Sequence, residues 1–175
     1  MNEKLWDKAV EFHGHVCPGL AIGFRACEIA KNKMEIGISD DEEIVCITEN
    51  DACGVDAVQV IFSCTVGKGN LLHRNTGKQA FSFFNRKTGE KLRLYLKAQN
   101  NTGMDRESWR KYILEAPEED VFSVSQPMYD LPEKARLFKT MYCEICGEGA
   151  PDHKMRLQED QVVCLDCFKE YKRGW

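Results

Sequence analysis

The sequence predicts an α+β core domain, an antiparallel or mixed sheet covered by helices, followed by a small C-terminal module that a metal holds together. Three observations carry this reading. Short helical apolar stripes alternate with β-branched strands over the first 130 residues. The composition then shifts to proline and charge. Last come two Cys-x-x-Cys pairs inside about 35 residues, too few to bury a core alone. The expected divisions are 1–130 for the core, 131–140 for a linker and 141–175 for the module.

Leu5, Trp6, Ala9 and Phe12 recur at helical spacing over residues 3–12. Leu20, Phe24, Cys27 and Ala30 do the same over a second helix that Pro18 opens and that ends near Met34. Between the two helices, His13-Gly14-His15-Val16-Cys17 packs three nitrogen and sulfur donors into five residues. In an extended segment, residues i, i+2 and i+4 share one side, so His13, His15 and Cys17 are candidate metal ligands. Cys17 falls at the start of the second helix, where unpaired N–H groups and the macrodipole favour a thiolate.

Ile44-Val45-Cys46-Ile47-Thr48 reads as a strand covered on both faces, with Cys46 and Cys27 as core residues. Cys53 precedes Val55, Val58 and Phe62 at helical spacing, although the run Val58-Gln59-Val60-Ile61 leaves a strand open. As a helix, this segment puts Cys53 at its N-terminus, a further candidate ligand, with Asp56 one turn on as proton carrier or partner to a ligand. The Gly-rich stretch Cys64 to Leu71 fails the spacing of a phosphate-binding P-loop. It offers Cys64 and Lys68 as pocket residues, so the catalytic candidates are Cys17, Asp56, Cys64 and Lys68. Residues 79–84 and 92–96 predict two antiparallel strands with one buried face, joined through 86–90. Asp105 is the expected cap of a helix carrying Trp109, Tyr112 and Ile113, and Pro117 follows its end.

Cys143, Cys146, Cys164 and Cys167 have the spacing of a four-cysteine zinc ribbon, a structural Zn²⁺ site that contributes folding free energy outright. His153 lies between the pairs and is not needed. Phe168, Lys169, Tyr171, Lys172, Arg173 and Trp175 form a basic, aromatic tail, read as a solvated end with contact to nucleic acid or protein as the alternative.

Nine cysteines, an odd number, and an N-terminus without the basic start and apolar run of a signal peptide point to a cytoplasmic chain whose thiols ligate rather than pair. The net charge of −4 disfavours a general nucleic-acid grip, and no apolar run is long enough to span a membrane.

The combination Phe12-His13-Gly14-His15-Val16-Cys17-Pro18-Gly19, then Cys53 with Asp56-Ala57-Val58-Gln59, then Cys64 to Leu71, resembles the FmdE family, named for the E-subunit of formylmethanofuran dehydrogenase, over roughly residues 5–130. Ser63 stands where that pattern has glycine. The resemblance implies an α+β core, a homodimer, and a metal site on the HxHxC and Cys/Asp segments, with the ribbon an extension that some members carry. It also implies a connection with an oxidoreductase that works on a molybdenum or tungsten pterin. The chain has no room for a pterin domain and no further iron–sulfur ligand set, so the expected role is accessory to such a complex or otherwise distinct. From the residues, the core metal is a second Zn²⁺ or another transition metal. The alternative function is a metal-sensing regulator that binds nucleic acid or protein through its ribbon.

Overall fold

The computed structural model describes residues 1–98 and 103–174, so Trp175 of the tail lies outside the described residues. The chain divides into two compact units, Met1–Lys134 and a second from Ala135 onward.

The first unit opens with helix α1 (Glu3–His13), whose cap Asn2 accepts the Leu5 N–H through its side chain at 3.2 Å. Gly14 ends it in the left-handed conformation, φ 88°, which glycine adopts without steric cost. Helix α2 (Pro18–Met34) follows at once, with proline in its first turn and Cys17 as its cap. Strand β1 (Ile44–Thr48), helix α3 (Gly54–Phe62) and strands β2 (Leu71–His73), β3 (Ala80–Asn85) and β4 (Lys91–Leu96) come next. Asp105 caps α4 (Arg106–Glu115), accepting the Ser108 N–H at 2.8 Å. The short α5 (Glu118–Val121) and strand β5 (Phe122–Ser125) complete the unit.

The five strands form one mixed sheet in the order β2-β1-β3-β4-β5, in which β1 and β2 are parallel and the other neighbours antiparallel. The expected α+β class holds. Phe81, Phe83 and Leu94 point from the sheet toward Leu20, Phe24, Phe62 and Ile113 of the helices, and all are fully buried. Each such side chain contributes about 2–3 kcal/mol of burial.

The β3–β4 pair departs from the expectation of one buried face. β3 is central and buried on both, because Val45, Ile47 and Phe84 on the far side of the sheet are covered by Leu72, Tyr129 and Leu131. The Tyr129 hydroxyl donates to Ser82 Oγ at 2.8 Å, which satisfies a buried hydroxyl in mid-sheet. Residues 118–130 are therefore part of the core, supplying an edge strand and a cover.

Two glycines set how closely α2 meets α3. A Cβ on Gly23 would stand 2.0 Å from the Gly54 carbonyl oxygen, and one on Gly54 would stand 3.0 Å from Gly19 O and from Gly23 Cα. The helices thus touch backbone to backbone.

The second unit pairs β6 (Thr140–Tyr142) with β7 (Gly149–Pro151), and, after a 3-10 turn at Asp152–Lys154, β8 (Arg156–Gln158) with β9 (Gln161–Val163). Glu159 and Asp160 both take positive φ in the two-residue turn between β8 and β9, as such hairpins require. Its buried residues are Val163 and the cysteines Cys143 and Cys164, a cluster too small to fold unaided.

Candidate metal centre

The side chains of His13, Cys17 and Cys53 come together with one ligand atom each, all within 4.8 Å of one another. Each sits at a helix end. His13 is the last residue of α1, Cys17 caps α2, and Cys53 precedes α3. His13 Nε2 lies 3.6 Å from Cys17 Sγ, and Cys17 Sγ accepts the Leu20 N–H at 3.3 Å. Burial, followed by the neighbouring Cys17, pushes the Cys53 thiol up when no metal is present.

The packing of α2 on α3 delivers Cys53. A Cβ on Gly19 would meet Cys53 Cβ at 3.1 Å and its Sγ at 3.4 Å, so the thiol fits only beside a glycine.

Behind His13 stands Asp56, whose Oδ2 accepts the imidazole Nδ1–H at 2.7 Å. A carboxylate can only accept, which places a proton on Nδ1; in the neutral imidazole this tautomer turns the Nε2 lone pair toward the thiols. Gln59 Nε2 in turn donates to Asp56 Oδ1 at 3.0 Å. A carboxylate behind an imidazole that faces two thiols is the arrangement that orients a metal-ligating histidine.

Beside the group opens a cavity of about 480 Å³ lined by His13, Cys53 and Asp56, by Thr48 at the end of β1 and Asn50 after it, and by His73. Thr48, Asn50, Asp51 and His73 are absent from the candidates drawn from sequence. The only signal for Asn50 and Asp51 there is the polar run that follows β1, while Thr48 ends β1 and His73 belongs to a strand of three residues.

The other expected residues are placed elsewhere. His15 is exposed and outside the ligand group, although its ring centroid lies 4.4 Å from that of His13. The extended alternation of His13, His15 and Cys17 is not adopted. α1 runs through His13, and the left-handed Gly14 then turns the chain, so His13 and Cys17 meet across a helix–helix corner. Cys64 does not line the cavity. It is fully buried, donates to Ile44 O at 3.5 Å, and desolvation pushes it up to about 12, a thiol rather than a nucleophile. Lys68 is a clasp, its Nζ donating to Ser39 O at 2.7 Å and Ser63 Oγ at 3.2 Å. Cys27 and Cys46 are core residues whose thiols burial drives well up.

In the second unit, Cys143, Cys146, Cys164 and Cys167 also converge within 4.8 Å. The Gly147 N–H donates to Cys143 O and the Phe168 N–H to Cys164 O, both at 2.9 Å, which curls each Cys-x-x-Cys pair into a turn. Glu144 N donates to Val162 O at 2.9 Å and ties the first turn to β9, the strand that leads into the second. Backbone N–H groups, that of Cys146 first, lower Cys143 to about 6, whereas burial and then the neighbouring thiols raise Cys167 to about 12. Four crowded thiols of which one ionises readily fit a tetrahedral Zn²⁺.

Fold and sites together define a two-part metal-binding protein, an α+β unit with a His/Cys cluster and a four-cysteine zinc finger. Residues 12–125 match FmdE, described as the molybdenum formylmethanofuran dehydrogenase operon family, and the chain belongs to that family. Residues 136–173 match the prokaryotic dksA/traR C4-type zinc finger. A crystal structure of an FmdE-like protein of the tungsten formylmethanofuran dehydrogenase type from Syntrophus aciditrophicus is similar, with a TM-score of 0.69 at 28% identity over 94% of this chain and 90% of that one. A probable S-adenosyl-L-methionine-binding protein from Archaeoglobus fulgidus is 31% identical over 202 aligned positions, 96% of this chain. The chain spans 53% of that relative's length. Among the described residues, no helix is long and apolar enough to cross a membrane.

Proposed function

We propose that the first unit binds one transition metal ion, zinc or another borderline divalent ion, through His13 Nε2, Cys17 Sγ and Cys53 Sγ, and presents it to a small-molecule ligand in the adjoining cavity. The hydrogen bond from His13 to Asp56 carries this reading, because it holds Nδ1 and turns Nε2 toward the thiols. Three protein ligands leave a position for water or substrate, and a metal bound there supplies Lewis acidity and lowers the pKa of that water. Asp56 holds the His13 proton at Nδ1, and Gln59 holds Asp56 in place. The Leu20 N–H holds the Cys17 sulfur in place. The four-cysteine finger is structural.

A second reading concerns the occupant of the cavity. The Archaeoglobus relative is named for S-adenosyl-L-methionine, and this cavity carries the carboxylates of Asp51 and Asp56, which suit a ligand with positive charge. Its volume is within the usual range for a ligand of that size.

Elemental analysis of anaerobically purified protein tests the first reading. The wild type is expected to hold about two metals per chain and His13→Ala/Cys17→Ala about one. Asp56→Asn keeps the ligands but weakens the core metal about 10–100-fold in competition with a chelator. Equal metal content in the wild type and the double variant removes the proposal. Calorimetric titration with S-adenosyl-L-methionine decides the second reading, and the absence of saturable heat eliminates it.

A further inference from the structure

The sheet has a second cavity, of about 380 Å³, on the face away from the helices. Alternation along the strands builds both cavities from neighbouring positions: Thr48 and His73 line the one beside the His/Cys cluster, and the next residues, Glu49 and Arg74, line the other. Arg74, Lys78 and Arg93 supply three cations there against the one carboxylate of Glu49, an excess of two positive charges in a chain whose net charge is −4.

The two guanidinium groups are positioned. Arg93 Nε donates to Glu49 Oε1 at 2.6 Å, and the guanidinium lies 5.8 Å from the centre of the Tyr95 ring. Glu49 is 3% exposed and its other oxygen accepts from the Thr76 hydroxyl at 2.9 Å, so this carboxylate is saturated inside the protein and holds Arg93 from behind. Arg74 stacks 4.5 Å above the centre of the Tyr129 ring, and Tyr129 is itself fixed by its bond to Ser82. Tyr129 gives the same cavity an apolar wall, and the exposed Met128 stands at its rim.

We infer that this cavity is a binding site for a small phosphate monoester, its dianionic group taken by Arg74, Lys78 and Arg93 and its organic part set against Met128 and Tyr129. A phosphate monoester carries close to two negative charges at neutral pH, which matches the excess, and guanidinium groups recognise its oxygens in pairs. A carboxylate would neutralise only half of it.

Calorimetric titration of the full chain with phenyl phosphate, with inorganic phosphate and acetate as comparison probes, tests the site. Phenyl phosphate is expected to bind once per chain and more tightly than inorganic phosphate, and acetate is expected not to compete. Arg74→Gln/Lys78→Gln weakens binding roughly tenfold or more, and Arg74→Lys/Lys78→Arg, which conserves the charge, restores most of it. Lys4→Gln/Lys8→Gln removes two exposed charges from α1 and leaves binding unchanged. Three results would each overturn the site: no saturable binding, equal weakening in the α1 variant, or acetate competing as well as phosphate. Steeply salt-dependent binding of a short oligonucleotide without phenyl phosphate binding would also overturn it, in favour of nucleic acid.

Discussion

Gly23→Ala is the sharpest perturbation of the core site, although it touches no ligand. A methyl group there would lie 2.0 Å from Gly54 O, 2.4 Å from Gly54 Cα and 2.5 Å from Gly54 C. All three are backbone atoms, so no rotamer change relieves the contact and α2 must part from α3 by about 1.4 Å to regain ordinary packing. Overpacking of this kind costs up to about 3 kcal/mol, whereas alanine regains about 0.5–1 kcal/mol of helix-interior stability over glycine. The clash wins, for a net loss of about 2 kcal/mol and a fall in Tm of roughly 4–8 °C. The same displacement moves Cys53 away from His13 and Cys17, while metal–ligand distances tolerate only about 0.2 Å. The folded variant at low temperature should therefore retain the finger's zinc and lose the core metal, as read by circular dichroism and elemental analysis together. Gly37→Ala is the control, since a Cβ there meets nothing within 4 Å. If Gly23→Ala keeps both its Tm and its core metal, the close helix contact is not what assembles the site.

The finger behaves differently. Removing its zinc with a chelator, or Cys164→Ser, should unfold residues 135 onward and leave the first unit folded, which backbone amide NMR signals report unit by unit. Zinc binding there should release protons and tighten from about pH 6 to about 8, because Cys167, raised to about 12, must give up its proton; a pH-independent affinity would contradict the thiolate assignment. Glu49→Gln should cost about 1–3 kcal/mol at neutral pH by leaving Arg93 Nε with a weaker acceptor. Burial raises the Glu49 carboxyl, but the bonds from Arg93 and Thr76 outweigh it and hold it below the ordinary carboxylate range. The unfolded chain thus takes up the proton first on acidification. The stabilisation is complete above the unfolded value of about 4.3 and is lost as pH falls through the folded one. Urea midpoints should show a shallower acid slope in the variant than in the wild type, and identical slopes would refute the assignment.

Helices α1, α2 and α4 are legible in the sequence because each combines an apolar stripe with a local signal: Gly14 after α1, Pro18 in α2, Asp105 before α4. α3 is not decided locally, since Val58, Val60 and Ile61 suit a strand as well. The helix prevails because Gly54 seats on Gly23 and because one turn brings Asp56 and Gln59 onto the face that meets His13. β2 is three residues long, and β5 follows an acidic run, so neither has a pattern to read. The donors of the core site are legible as a set but not as a geometry. His13 and His15 are equivalent in a two-residue alternation, and only the turn at Gly14 separates them by sending His15 to solvent. Cys53 and Cys64 likewise lie at opposite ends of one helix. Which of them meets the histidine depends on the α2–α3 contact.

The two metal groups consequently differ in what they ask of the chain. The finger's four thiols come from two local turns on a unit whose buried cluster amounts to little more than Val163 and the cysteines themselves, so there the metal makes the fold. In the first unit the order is reversed. Leu20, Phe24, Phe62, Phe81 and Phe83 supply an apolar core that packs the helices on the sheet, and the three candidate ligands stand at the ends of three of those helices. A site assembled in advance can leave a coordination position open toward a cavity without losing its shape. The finger, closed by four cysteines, has no such position to offer. If the chain does chemistry on a metal, the corner between α1, α2 and α3 is the place for it, and Asp56 is the residue that orients the histidine there.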